Sequence, residues 1–282
     1  MPGMLQLPQG YELIIKGCAA IAVHERYRDC LIGMGIDDPE KLLHSADPRK
    51  SPSGRGAVPS LPVSGLPGER MMARRYLRGG LMRFINRDLY LDAERSFCEL
   101  GITVEAGRSG IPTVEVLAAV RIKAAGPLYR CFIFTRELPG CIDLPTYLRS
   151  RTAAESFSKE KQAVLACAAA AARLMHDRGF FHADLNMKNI LVDTAQPESL
   201  YIIDWDKSRR FGRLSDSRRM ANIVRFCRSM IKLAGKGVPV YEKDTDFFLR
   251  AYSGDAQFVR ACRERLQRSM ALRRNLWKLL DI

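Results

Sequence analysis

The chain has 282 residues, 47% of them hydrophobic and 27% charged, a balance that fits a soluble globular protein of one large or two closely joined domains and excludes fibres and disorder. Its net charge is +14, and the excess is concentrated: residues 207–232 carry nine basic residues against Asp216, and residues 260–278 carry seven against Glu264. Surfaces of this kind attract phosphates, but charge alone does not say whose.

The longest apolar run, Ala163 to Ala172, stops at Arg173, well short of the roughly 18 to 20 residues that cross a bilayer. Met1 to Ile14 lacks a basic n-region followed by an apolar core, so an intracellular location is expected. The eight cysteines are scattered without a C-x-x-C pair, and the four histidines form no cluster with them, so the expectation is reduced core thiols.

In chain order, residues 1–45 carry no usable motif. Ser45 to Gly68 is rich in Pro, Gly and Ser and predicts turns beside two strands, Val58 to Leu61 and Arg70 to Tyr76. The apolar spacing of Leu89, Leu91, Phe97, Leu100 and Ile102 predicts a helix within Phe84 to Glu105, ended by Gly110-Ile111-Pro112. Strands are predicted at Thr113 to Val120 and Tyr129 to Thr135. After Pro139 the pattern turns helical. Helices are predicted from Leu144 and over Ala153 to Arg178, short strands over Met187 to Val192 and Leu200 to Ile203, and helices from Ser215 onward, including Met220 to Leu233 and Ala256 to Leu280. The fold class expected is α+β with two lobes, a strand-rich 1–138 and a mainly helical 139–282.

The chemistry concentrates in FFHADLNMKNILVD, 180–193, and YIIDWDK, 201–207, which read H-x-D-L-x-x-x-N-I-L and I-D-x-D. Phosphoryl transfer needs an Asp to accept or orient the proton of the attacking hydroxyl, and an amide and a second carboxylate to hold metal ions against the nucleotide phosphates. Asp184, Asn189 and Asp204 have those types in that order. Pairing of Ile190 to Val192 with Tyr201 to Ile203 as a hairpin would bring all three to one mouth. His182 reads as a hydrogen-bonding residue of the loop. Asp206 either assists the metal or faces solvent, and Lys188 and Asn186 line the loop without an assignable role.

Together with SGRGAV at 53–58, MMARRYLRGGLM at 71–82, ERSFCELGITVEAGRSGIP at 94–112 and NIVRFCRSMIK at 222–232, these motifs resemble the 3-deoxy-D-manno-octulosonic acid (Kdo) kinases of the lipopolysaccharide kinase family. The resemblance runs from about Ser53 to Lys232. It implies a protein-kinase-like bilobal fold, use of ATP with Mg, and phosphorylation of a Kdo sugar on a lipid A precursor at the cytoplasmic side of the inner membrane. Carried over position by position, it makes Asp184 the acceptor of the sugar hydroxyl proton and Asn189 and Asp204 the Mg ligands. Gly54, Arg55 and Gly56 would form the turn over the nucleotide phosphates. Arg74 would stand in for the phosphate-pairing lysine, with Arg75 as competitor, and Glu99 would pair with it, with Glu94 second. Glu137 would lie where backbone groups hold adenine.

No D-F-G or A-P-E follows, which disfavours a conventional protein kinase. Alternatives are a small-molecule phosphotransferase of the aminoglycoside or choline kinase type and a lipopolysaccharide heptose kinase. Arg209, Arg210, Arg213, Arg218 and Arg219 suit an acceptor bearing carboxylates and phosphates better than a cationic antibiotic. No nucleic-acid-binding motif appears. An anionic membrane surface is the expected partner of the basic segments.

Overall fold

The structure is a computed structural model that describes residues 6–44, 58–77 and 88–279, with the side chains of 272–279 left undescribed. The chain divides into two compact units, Met1–Pro139 and Gly140–Ile282.

The first unit is built on β1 (Tyr11–Lys16), β2 (Ala19–His24), β3 (Ser60–Pro62), β4 (Arg70–Arg75), β5 (Val116–Lys123) and β6 (Tyr129–Arg136). They form one six-stranded antiparallel sheet in the order β1-β2-β5-β6-β4-β3. Two short helices, α1 (Arg28–Gly33) and α2 (Pro39–His44), and one long one, α3 (Arg95–Arg108), complete it. Successive strand residues point to opposite faces, so each strand feeds two cores. Met71, Ala73, Phe132 and Phe134 face one core with Tyr27, Leu31 and Ile36. Cys131 and Ile133 face the other with Phe97 and Leu100 of α3. The β1–β2 hairpin, α1 and α2 lie in the segment that gave no motif, and α3 starts at Arg95, later than the apolar spacing suggested. Gly54, Arg55 and Gly56 lie outside the described residues.

The second unit opens with β7 (Cys141–Asp143), whose Asp143 caps α4 (Leu144–Ser150) by accepting the Thr146 N–H at 2.9 Å. The long helix α5 (Phe157–Asp177) buries Val164, Leu165, Ala168, Ala172 and Met175. β8 (Phe180–Phe181) follows at once, because Gly179 turns the chain at φ +82°, and a Cβ there would meet the Phe211 carbonyl oxygen at 2.1 Å. β9 (Ile190–Asp193) and β10 (Leu200–Ile202) pair antiparallel, Ile190 opposite Ile202, and β7 adds to β9 to make a three-stranded sheet. β11 (Arg209–Arg210) pairs with β8. Helices α6 (Asp216–Ala234), α7 (Glu242–Tyr252) and α8 (Ala256–Leu279) finish the unit. A buried ion pair joins α5 to α7: Lys161 Nζ lies 2.7 Å from Asp244 Oδ2 and donates to the Pro239 carbonyl at 3.2 Å. All eight cysteines are free thiols.

Candidate active site

In the first unit, strand alternation assigns Arg74 and Arg75 to opposite faces of β4. Arg74 lies on the α3 face, where its Nη2 pairs with Glu99 Oε1. Glu99 belongs to the buried stripe Ser96, Phe97, Glu99, Leu100, Thr103 and Ala106, and at 4% exposure a carboxylate needs partners. Among the described residues Arg74 is joined by Tyr76, whose hydroxyl donates to Oε2. The Arg74 guanidinium also sits 4.9 Å from the Tyr76 ring centroid. Arg75 faces the other way and pairs with Asp88 and, at 3.1 Å, with Glu40 of α2. Glu94, at the start of α3, pairs with Arg121 instead. Tyr76 was legible as the third position of R-x-Y, two residues beyond Arg74 and on the same face, but received no role from the sequence.

Glu137 follows β6, and its N–H donates to the Arg70 carbonyl at 2.9 Å. Its carboxylate accepts from the Ser60 hydroxyl and from Arg70 Nε at 3.1 Å. The side chain therefore ties the end of β6 to β3 and β4.

In the second unit, a loop with a 3-10 turn at Met187–Asn189 joins β8 to β9. Asp184 lies in this loop. Its carbonyl accepts two side-chain amides, Asn186 Nδ2 at 2.8 Å and Asn189 Nδ2 at 2.9 Å. With its nitrogen used in this way, Asn189 keeps its oxygen, Oδ1, as the atom that could hold a cation. The Asn189 carbonyl in turn accepts the Ile203 N–H at 3.0 Å, placing the start of the D-W-D turn beside the loop. Asp204 then adopts φ +66°, a left-handed conformation uncommon for a residue with a side chain and frequent at functional sites. Trp205, fully buried, fixes that turn: its Nε1 donates to the Ile202 carbonyl at 3.2 Å and its ring lies against Phe180 and His182.

His182 is wholly buried and both ring nitrogens are used. Nδ1 accepts the Asp184 N–H at 3.2 Å and Nε2 lies 3.1 Å from the Ile203 carbonyl, which sets the neutral tautomer with its proton on Nε2. Burial holds its pKa below the ordinary histidine value, as it does for His176, lowered to about 4. Asn222 of α6 links the two: its Oδ1 accepts the His182 N–H at 3.1 Å and meets His176 Nε2 at 3.1 Å, while its Nδ2 donates to the His182 carbonyl at 2.7 Å. Asn222 opens the NIVRFCRSMIK segment but received no role from the sequence, although an Asn among Ile223, Phe226, Cys227 and Met230 on a buried helix face is the kind of polar exception that marks a network.

The Asp184 side chain meets Arg225 of α6, Oδ1 to Nη1 at 2.9 Å. Of the arginines expected to face the acceptor, Arg219 is committed to Asp177 at 2.6 Å, while Arg210 and Arg218 lie over the rings of Phe180 and Phe211.

The donor set available for a divalent cation, a carboxylate and an amide oxygen, is hard and suits Mg. An antiparallel sheet with an Arg–Glu pair between strand and helix, and a helical unit whose loop holds H-A-D-L-N-M-K-N ahead of D-W-D, places the chain among protein-kinase-like phosphotransferases. It belongs to the lipopolysaccharide kinase (Kdo/WaaP) family, which it matches over residues 45–252. A 3-deoxy-D-manno-octulosonic acid kinase of Actinobacillus succinogenes is 30% identical to it over 205 residues, 71% of this chain and 82% of that protein. One of Haemophilus influenzae is 29% identical over 66% of this chain and 76% of that protein. A solved structure of WaaP in complex with acyl carrier protein covers 88% of this chain and 98% of its own with a TM-score of 0.57 at 16% identity, a likeness of fold.

Proposed function

We propose that the protein transfers the γ-phosphoryl group of ATP to a hydroxyl of a Kdo sugar in the lipopolysaccharide inner core, carried on a lipid A precursor. The observation that supports this most is the closed set of hydrogen bonds tying Asp184, Asn189 and the residue before Asp204 into one constellation, in a chain whose curated relatives are named for that activity.

In this reading Asp184 orients the acceptor hydroxyl and takes its proton as the bond to phosphorus forms. Asn189 Oδ1 and the Asp204 carboxylate hold Mg, which supplies charge neutralisation on the nucleotide phosphates. Arg74, kept extended by Glu99 and by the Tyr76 ring, offers a guanidinium fork to those phosphates. The role of Gly54, Arg55 and Gly56 over the phosphates is what the family resemblance implies, and the backbone around Glu137 holds adenine. The two units correspond to the nucleotide-binding and catalytic lobes.

No helix among the described residues is long and apolar enough to cross a membrane. The enzyme works as a peripheral protein at the cytoplasmic side of the inner membrane, held by exposed basic residues of 207–218 and 260–268, with roughly 1 kcal/mol from each that meets an anionic surface. Incubation with ATP, Mg and a purified Kdo-bearing lipid A precursor, followed by mass spectrometry and fragmentation, tests the reaction. One added phosphate on the Kdo residue is expected, and phosphorylation only of a heptose-extended core would contradict the assignment. Sedimentation with anionic vesicles that is reversed by high salt tests the attachment, and salt-insensitive binding would contradict it.

A further inference from the structure

Three residues of α6 at i, i+3 and i+7 grip the catalytic loop in register. Asn222 bonds to both the N–H and carbonyl of His182, Arg225 to the Asp184 carboxylate, and the Ser229 hydroxyl accepts the Met187 N–H at 3.0 Å. That spacing puts all three on one helix face. Asn222 is fully buried and Ser229 partly buried, whereas the Arg225 side chain is 49% exposed. Arg225 thus reaches past the loop into solvent at the very carboxylate that must meet the acceptor.

Its contact with Asp184 uses one Nη1 hydrogen at one oxygen, Oδ1, and the other oxygen stays available for the acceptor hydroxyl. A guanidinium carries five donors in a fixed fork that matches a carboxylate, so the remaining donors suit a second anion approaching from solvent. Nearby groups are less suited. The amide nitrogens of Asn186 and Asn189 each give one hydrogen to the Asp184 carbonyl and carry no charge to hold an anion, and Lys188 is a point charge without a fork. Under the function proposed above, on which this step rests, the acceptor is an acidic sugar.

We infer that Arg225 is the acceptor-recognition residue: it binds the carboxylate of the sugar and so sets the hydroxyl against Asp184 Oδ2. The one guanidinium then couples recognition of an acid to alignment of the proton acceptor, and a sugar lacking the carboxylate is bound without that alignment.

The test compares transfer to a lipid-linked acceptor carrying a single Kdo with transfer to its methyl ester, which removes the charge and keeps the sugar. Wild-type protein is expected to favour the acid in kcat/KM by at least about tenfold, the scale of one charged hydrogen bond. Arg225→Gln should bring the ratio to about one, Arg225→Lys should retain part of it, and Lys188→Ala should leave it as in wild type. Circular dichroism and thermal melts confirm that each variant folds, and Arg225→Lys carries the comparison if the Gln variant does not. An Arg225→Gln ratio equal to that of wild type, or a ratio abolished by Lys188→Ala instead, overturns the inference while leaving the kinase reading intact. Absence of transfer by wild type to either acceptor refutes the kinase reading, and this inference with it.

Discussion

The imidazole of His182 hydrogen-bonds through Nε2 to the carbonyl of Ile203, at 3.1 Å, and so locks the loop that carries Asp184 to the turn that carries Asp204. With Nδ1 also occupied by the Asp184 N–H, the ring is a strut with no lone pair left for proton transfer. His182→Gln should lower turnover roughly 10- to 100-fold, as loss of an orienting partner does, without moving the limbs of the pH–rate profile. Selective loss of the acid limb in a folded His182→Gln protein would show that His182 is itself the base.

The same burial makes stability pH-dependent. His176 and His182 are held neutral, His176 with its pKa lowered from 6.5 to about 4. As pH falls below about 6.5 the unfolded chain takes up protons at both positions before the folded chain does, so stability drops with falling pH, by up to about 1.4 kcal/mol per unit for His176 above its lowered pKa and in the same direction for His182. Urea midpoints between pH 7.5 and 5 should shift accordingly, and the slope should become shallower in His176→Gln. A flat profile over that range would mean that the two histidines take up protons in the folded protein at the same pH as in the unfolded chain.

For Arg74 and Glu99, single truncations to Ala and Gln should each reduce activity, and the double variant should lose clearly less than the sum, because one interaction is removed in all three. Arg75→Ala, which breaks contacts to Glu40 and Asp88 on the opposite face of β4, should lower the melting temperature while costing less activity. Additive losses for Arg74 and Glu99 would contradict a shared role.

What the sequence revealed followed the range of the interactions involved. The β9–β10 hairpin and the Asp184–Asn189–Asp204 order were legible because they are fixed within about two dozen residues by turn chemistry and residue type. The β1–β2 hairpin was not, because β2 reads Ala-Ala-Ile-Ala-Val, buried on both faces, with no alternation to mark a strand. Two helix starts were placed too early. Phe157 opens α5 although Ala153 and Ala154 favour helix, and Arg95 opens α3 although Leu89 and Leu91 share its spacing. Glu99 came ahead of Glu94 from the family resemblance, and the buried stripe of α3 gives the physical reason, but Asn222, Arg225 and Ser229 act across some 40 residues of sequence, where no local pattern shows what they touch.

The pair Lys161–Asp244 gives a stability prediction independent of the active site. Both side chains are at most 4% exposed, and Asp244 also accepts the Tyr241 N–H at 2.8 Å. Lys161→Met should cost about 3 to 5 kcal/mol, because it strands a buried carboxylate, and Asp244→Asn in the same chain should recover part of that loss. Equal stability of Lys161→Met and wild type in chemical denaturation would contradict the burial of the pair.

Single-turnover transfer from γ-labelled ATP to a Kdo-bearing lipid A precursor, with Asp184→Asn alongside wild type, tests the central claim most directly. The wild-type protein should place one phosphate on the Kdo sugar, and Asp184→Asn should bind Mg-ATP nearly as well yet slow transfer by orders of magnitude, since the proton acceptor is lost while the metal ligands remain. Transfer by Asp184→Asn at the wild-type rate, or label from wild type that never reaches the sugar, would contradict the account.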